Sequence, residues 1–188
     1  RSGPQRIGYR WRMTEGTTDL VARTRAWVSG DPDETTRGEL TALIKGEDWE
    51  ELAERMDGVL EFGTAGIRGK VEAGSNRMNR AVVIRTTAGL AAFLTANRSG
   101  PVIVGFDGRK SSRQFADDAI GVLASAGHTV RYFPEPTPTP IVAFWAKREQ
   151  AAAAVVITAS HNPPADNGYK VYDGNAAQIV PPVDTEIA

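Results

Sequence analysis

The chain has 188 residues, 41% of them hydrophobic and 24% charged, which is ordinary for a globular protein and enough for one domain with appendages. Its 22 basic and 23 acidic residues leave a net charge of -1, so no global field draws it to nucleic acid or to a membrane surface. Cysteine is absent and the histidines are His128 and His161, which excludes disulfides, thiolate zinc sites, cysteine nucleophiles and multi-histidine metal cages.

In chain order, residues 1–12 come first, with Arg1, Arg6, Arg10 and Arg12 and no acid. They have no apolar h-region, so they are not a signal peptide. Met13 reads as a natural start, and residues 1–12 read as an upstream extension or cloning remnant without order of its own. Residues 13–57 read as a helical segment. A first helix runs from Asp19 through Val28, and Gly30-Asp31-Pro32 breaks it. Asp31 or Asp33 is placed to cap a second helix over Thr36–Lys45, whose apolar stripe is Leu40, Leu43 and Ile44. Gly46 stops it, and Trp49–Met56 gives a short third helix. A segment this charged is expected to cap a larger body.

Residues 58–188 change in texture. Glu61-Phe62-Gly63-Thr64-Ala65-Gly66-Ile67-Arg68-Gly69 reads as a glycine-dense loop. A helix follows over Asn79–Ala96, with Val82, Val83, Leu90 and Phe93 inward. Val102–Phe106 and Ala152–Ile157 are short apolar runs bounded by turn signals, as buried parallel strands are. Between them come a helix over Ser111–Ala126 with Ser111-Ser112 as an N-cap pair, a strand over Thr129–Phe133, and the Pro134–Pro140 connection, which cannot lie inside a sheet. A helix over Ile141–Lys147 leads back to the sheet. Gly168–Tyr172 and Gln178–Val180 suggest an antiparallel edge. Strands alternating with helices predict a three-layer α/β/α sandwich with a mixed, mostly parallel sheet, preceded by the helical segment. Right-handed crossovers then gather the loops after the strands on one sheet edge: Asp107-Gly108-Arg109, the proline-rich segment, and Thr158–Asn167. That edge is where open α/β sheets bind ligands.

Ser160 stands just past the end of a buried strand, in Thr158-Ala159-Ser160-His161-Asn162-Pro163-Pro164, with Lys170 downstream. Ser160 and His161 cannot be nucleophile and base to each other, because adjacent side chains in extended backbone point apart. The Gly-x-Ser-x-Gly elbow of serine hydrolases is also missing. A serine that carries and donates a phosphoryl group needs cations around the phosphate and an acid/base for the acceptor hydroxyl. Lys170, Arg68 and His161 are candidates for these tasks. Spacing alone leaves a capping serine in a tight loop open. In the glycine loop, Arg68 among Gly66 and Gly69 suits bidentate contact with a phosphate, but the spacing is not that of a P-loop. Asp107 is expected to tie its loop to Arg109 or Arg113, and His128 to be structural. No aromatic spacing suggests a base-stacking platform.

Gly63-Thr64-Ala65-Gly66-Ile67-Arg68-Gly69, Thr158-Ala159-Ser160-His161-Asn162-Pro163 and Asp166-Asn167-Gly168-Tyr169-Lys170 together resemble the α-D-phosphohexomutase superfamily, over about Trp49–Asp184. The form of these motifs resembles the branch that includes phosphopentomutase and glucose-1,6-bisphosphate synthase. The resemblance implies that Ser160 is a phosphoserine, donating to a sugar monophosphate and recovering a phosphoryl group from the bisphosphate intermediate. It implies Mg²⁺ on the Ser160 phosphate, with a sugar 1,6-bisphosphate as activator. Lys170 and Arg68 correspond to acid/base and phosphate-contacting groups, and His161 to a ring near the transferring phosphoryl; Arg68, Ser160, His161 and Lys170 are the implied substrate contacts. The implied substrate is a glucose or mannose phosphate, with phosphopentomutase or glucose-1,6-bisphosphate synthase as the alternative activity. A non-catalytic phosphosugar-binding module is the alternative of another class. The family's Asp-Gly-Asp-x-Asp-Arg metal segment, its sugar loop and its C-terminal phosphate loop are not found here. The chain is therefore expected to be domain I, inactive alone, partnered by the remaining domains of a cytoplasmic enzyme.

Overall fold

The computed structural model describes residues 15–63 and 66–187. The expected extension over residues 1–12, and Thr64 and Ala65 of the glycine loop, lie outside the described residues.

Three helices open the described chain: α1 (Glu15–Gly30), α2 (Glu34–Gly46) and α3 (Trp49–Met56). Asp33 caps α2 by accepting from the Thr35 amide, and buried Asp31 accepts from Thr36 Oγ1 at 2.7 Å. Gly46 is the last residue of α2, and the left-handed cap conformation falls on Glu47, at φ 55°. Leu20, Trp27, Leu40, Leu52 and Met56 pack with Ala73, Ala81 and Val82, so the helical segment shares an apolar seam with the rest of the molecule. Polar contacts reinforce that seam. Arg55 pairs with Glu51 at 2.7 Å and Glu39 at 2.8 Å, Glu39 accepts from the Ala73 amide, and Arg77 bridges Glu54 and Glu72.

Among the described residues the sheet has five strands: β1 (Ile67–Lys70), β2 (Val102–Phe106), β3 (Val130–Tyr132), β4 (Ala153–Ile157) and β5 (Asp166–Asp173), in the order β1-β5-β4-β2-β3. β2 pairs in parallel with both β3 and β4, whereas β5 pairs antiparallel with β4 and with β1. Four strands thus share one direction and β5 alone runs against them. Expected strand assignments change at β1 and β5. The stretch read wholly as a glycine-dense loop contributes β1, and the expected edge at Gly168–Tyr172 is the longer β5, interior to the sheet. β1 escapes a period-two reading because Ile-Arg-Gly-Lys pairs on one side only and exposes its last residue. Gln178 forms an isolated antiparallel bridge to Tyr172, and residues 178–180 add no strand among the described residues.

Every residue of β2 and β4 is buried, as their unbroken apolar runs require. Alternate side chains enter opposite layers. Val102, Val104, Val155 and Ile157 join the core formed with α4 (Arg80–Asn97) and α5 (Ser112–Ser125). Ile103, Ala154 and Val156 pack with Val142 and Ala146 of α6 (Thr139–Arg148). That alternation makes the three layers. Asn79 caps α4 by accepting from the Val82 amide at 3.0 Å. Leu94 of α4 is buried where Phe93 was expected, and Phe93 is half-buried. A short α7 (Val183–Ile187) packs on α4. Among the described residues, no helix is long and apolar enough to cross a membrane.

Candidate active site

The loops after β2, β3 and β4 meet at one sheet edge. The Thr137 amide donates to Phe106 O, the Asp107 amide to Ile157 O, and Arg113 to Pro134 O. Beyond β4 the chain turns sharply. Thr158 Oγ1 accepts from the Ser160 amide at 2.9 Å, the Asn162 amide returns to Ala159 O, and the Asp166 amide to Pro163 O. Ser160 lies at φ 57°, exposed at the tip. A left-handed conformation costs a non-glycine residue roughly 1–2 kcal/mol, and such strain collects at functional positions.

The β1–β5–β4 register sets the cations. Arg68 pairs with Gly168, and Lys170 pairs with Val156, so both side chains leave the same face of the sheet. Arg68 reaches Ser160 Oγ and Asn162 Oδ1, each at 3.4 Å, and its Nε is buried without a partner. Contacts this long at the edge of hydrogen-bond geometry leave the guanidinium with donor capacity to spare. Lys170 is 8% exposed, and its ammonium makes no hydrogen bond or ion pair among the described residues. Its burial, and then the nearby Arg68 charge, hold its ammonium below the ordinary lysine range. The neighbouring Tyr169 points into the core, with its hydroxyl 3.0 Å from Thr87 Oγ1.

Two glycines let these strands approach. At Gly66, φ 84°, a Cβ would lie 2.5 Å from Tyr169 O and 3.2 Å from Lys170 Cγ. At Gly168 a Cβ would lie 2.6 Å from Thr158 O and 2.7 Å from Ile67 O, both of them backbone. Gly168→Ala therefore forces β1 or the Ser160 loop outward. The expected loss of stability is at least about 1–3 kcal/mol, read by urea unfolding of this chain.

Of the expected site residues, Ser160, Arg68 and Lys170 gather at one strand end. His161 is exposed and has no hydrogen-bond partner among the described residues. The alternatives for Asp107 resolve toward Arg109, at 3.2 Å, while Arg113 pairs with Asp117. The serine cap is corrected. Ser111 makes no cap hydrogen bond; instead Asn167 Nδ2 donates to Ser111 Oγ and Ser112 Oγ, and Ser112 Oγ donates to Asp107 Oδ1 at 2.6 Å. Buried Asn167 and the loop residue Asn162 were not singled out from the sequence, although both sit inside the motifs quoted there. An open cavity of about 780 Å³ borders the loop, lined by Asp107, Arg109, Lys110, Ser160 and Asn162.

The fold and site define an α/β/α domain that presents a strained serine at its strand ends, beside one under-used guanidinium and one desolvated ammonium. The family profile described as phosphoglucomutase/phosphomannomutase, alpha/beta/alpha domain I, matches residues 59–188, and the chain belongs to this family. It is similar to the phosphoribomutase of Saccharomyces cerevisiae, 40% identical over 176 residues, covering 91% of this chain and 28% of that protein. It is also similar to the phosphoglucomutase of Staphylococcus epidermidis, 41% identical over 133 residues, covering 69% of this chain and 24% of that protein. Among solved structures, one from Thermus thermophilus, provisionally described as a phosphomannomutase, superposes with a TM-score of 0.65 at 32% identity, covering 70% of this chain and 30% of that one. The chain thus spans less than a third of the length of each of these relatives.

Proposed function

We propose that this chain is the phosphoserine-bearing domain of a longer sugar phosphomutase. The observation that carries the proposal is the exposed Ser160 Oγ at the Arg68 guanidinium, with the Lys170 ammonium, unpartnered among the described residues, on the same sheet face. In the forward half-reaction the bond between Ser160 Oγ and phosphorus breaks and a bond from a sugar hydroxyl oxygen to phosphorus forms. Arg68 holds the equatorial oxygens, and Lys170 takes or returns the proton that the sugar hydroxyl gives up and that ends on the departing Ser160 Oγ, leaving a neutral serine. The bisphosphate then turns and returns its other phosphoryl group to Ser160. His161 is assigned a contact with the phosphoryl group.

Mg²⁺ is the implied ion, and this chain's donor set fits it in part. A phosphate on Ser160 supplies a hard oxygen ligand. Asp107 is held by Arg109 and Ser112, and Asp166 by Asn162. Among the described residues no three acidic or imidazole side chains gather at metal-binding distance. The remaining ligands fall to other domains, and the bound ion would offset phosphate charge.

The match to the phosphoribomutase covers 91% of the chain and so takes in the N-terminal helices, whereas the phosphoglucomutase match covers 69%. Coverage alone does not separate the activities, because a glucose 1,6-bisphosphate synthase also covers 92% of the chain, but at 34% identity against 40% for the phosphoribomutase. The higher identity supports a pentose phosphate as substrate; transfer between the 1- and 6-positions of glucose or mannose phosphate, or glucose 1,6-bisphosphate synthesis, is the second reading. The test is incubation of the full-length protein with glucose 1,6-bisphosphate, followed by mass spectrometric mapping. The expected result is a single phosphate, on Ser160. A stable phosphate elsewhere, or none, overturns the proposal. Turnover of ribose 1-phosphate faster than glucose 1-phosphate supports the pentose assignment, and the reverse ratio installs the hexose.

A further inference from the structure

We infer that Arg109 is a positioning residue that holds the Ser160 loop in its strained shape. The inference rests on the proposed phosphoryl transfer for its catalytic consequence and on geometry for the rest. A guanidinium has five N–H donors in a planar fork. In Arg109 each has an acceptor. Nε donates to Asp107 Oδ2 at 3.2 Å, Nη1 to Pro163 O at 2.6 Å and Asp166 O at 2.8 Å, and Nη2 to Ser160 O at 3.1 Å and Asn162 O at 2.8 Å. Four of these acceptors are main-chain carbonyls spanning the loop from its tip to the start of β5.

The two arginines beside Ser160 therefore differ in kind. Arg68 has long contacts and an Nε that is unpartnered among the described residues, so it has donors for a ligand. Arg109 has none left, so it acts on the reaction only through the backbone it grips. The grip is itself braced. Asp107 accepts from the Arg109 amide at 3.0 Å and from Ser112 Oγ, and Ser112 Oγ accepts from Asn167, two residues before Tyr169 on β5. One polar chain thus fixes the Ser160 loop against both the start of α5 and the strand that carries Lys170.

Lysine cannot replace this fork, because its three donors radiate from one nitrogen and do not span four carbonyls. In the full-length protein, Arg109→Lys keeps the charge and removes the clamp. Amide hydrogen exchange over residues 158–168 should rise about tenfold or more, with α1 and α4 unchanged. A loop displaced by an ångström typically loses on the order of 100-fold in rate, so kcat should fall about that far while KM moves by less than about threefold. Arg109→Ala should recover part of its kcat on addition of guanidinium ion, a gain that a purely folding role does not produce. Asp107→Asn, which keeps the arginine and weakens its brace, should fall between Arg109→Lys and wild type in both readouts, and it stands in if the arginine variants do not fold.

Unchanged loop exchange in Arg109→Lys overturns the clamp whatever the enzyme's activity. Faster exchange with wild-type kcat overturns positioning. If wild type shows neither phosphoserine nor turnover, the phosphomutase proposal fails and catalytic positioning fails with it, while the exchange experiment alone decides the clamp.

Discussion

Ser160→Ala in the full-length protein should reduce sugar phosphate isomerisation by roughly 10⁴-fold or more, because loss of a covalent carrier leaves only binding and electrostatic effects. The substitution deletes an exposed oxygen whose side-chain contact is the 3.4 Å approach of Arg68, so it removes little from the fold. The loop contacts of Ser160 pass through its main chain: the amide to Thr158 Oγ1, and the carbonyl to Arg109. The melting transition of the variant should therefore match wild type. Binding of a sugar monophosphate should persist, because Arg68 and Lys170 remain. Persistence of wild-type turnover in Ser160→Ala, with its fold intact, would remove the serine from the chemistry.

How much of this was readable from residues follows from what each segment does. β2 and β4 were legible because both faces are covered, by α4 and α5 on one side and α6 on the other, so each is an unbroken apolar run. The gathering of three loops at one edge was legible because crossover handedness leaves little choice. β5 was not bounded correctly, because only part of it serves the core. Val171 and Tyr169 are buried apolar contacts, whereas Asn167 and Lys170 are buried polar residues that brace and furnish the site. Asp-Asn-Gly therefore looks like a turn while pairing as a strand. The Ser111-Ser112 cap misled for a related reason. Local pattern says which helix end a hydroxyl is near, and only the fold brings Asn167 and Asp107 within reach of those hydroxyls. Arg109 was illegible as a clamp because its loop acceptors are backbone carbonyls, which every sequence offers, 51 to 57 residues away.

Lys170→Met should separate chemistry from stability in opposite directions. In the full-length protein kcat should fall by roughly 10²–10⁴-fold, the usual contribution of a positioned acid/base, with a smaller change in KM. A change confined to KM would make Lys170 a binding residue. The pH dependence has a definite sign. Burial first, and Arg68 second, lower the folded-state pKa of Lys170 below its ordinary 10.5. Below that lowered value both folded and unfolded chains carry the proton, and the folded chain bears the full cost of a desolvated charge. Between it and 10.5 the unfolded chain binds more protons, so the contribution of Lys170 to stability rises with pH across that window and levels off above it. Methionine keeps the aliphatic stem and carries no charge. The variant of this chain should therefore melt higher than wild type near neutral pH, and the advantage should shrink toward about pH 10. An advantage independent of pH would mean that the lysine is fully solvated when folded. The same desolvation that lowers stability is what brings an ammonium toward the range where it exchanges protons with a sugar hydroxyl, so the cost to the fold and the catalytic role proposed for Lys170 share one cause.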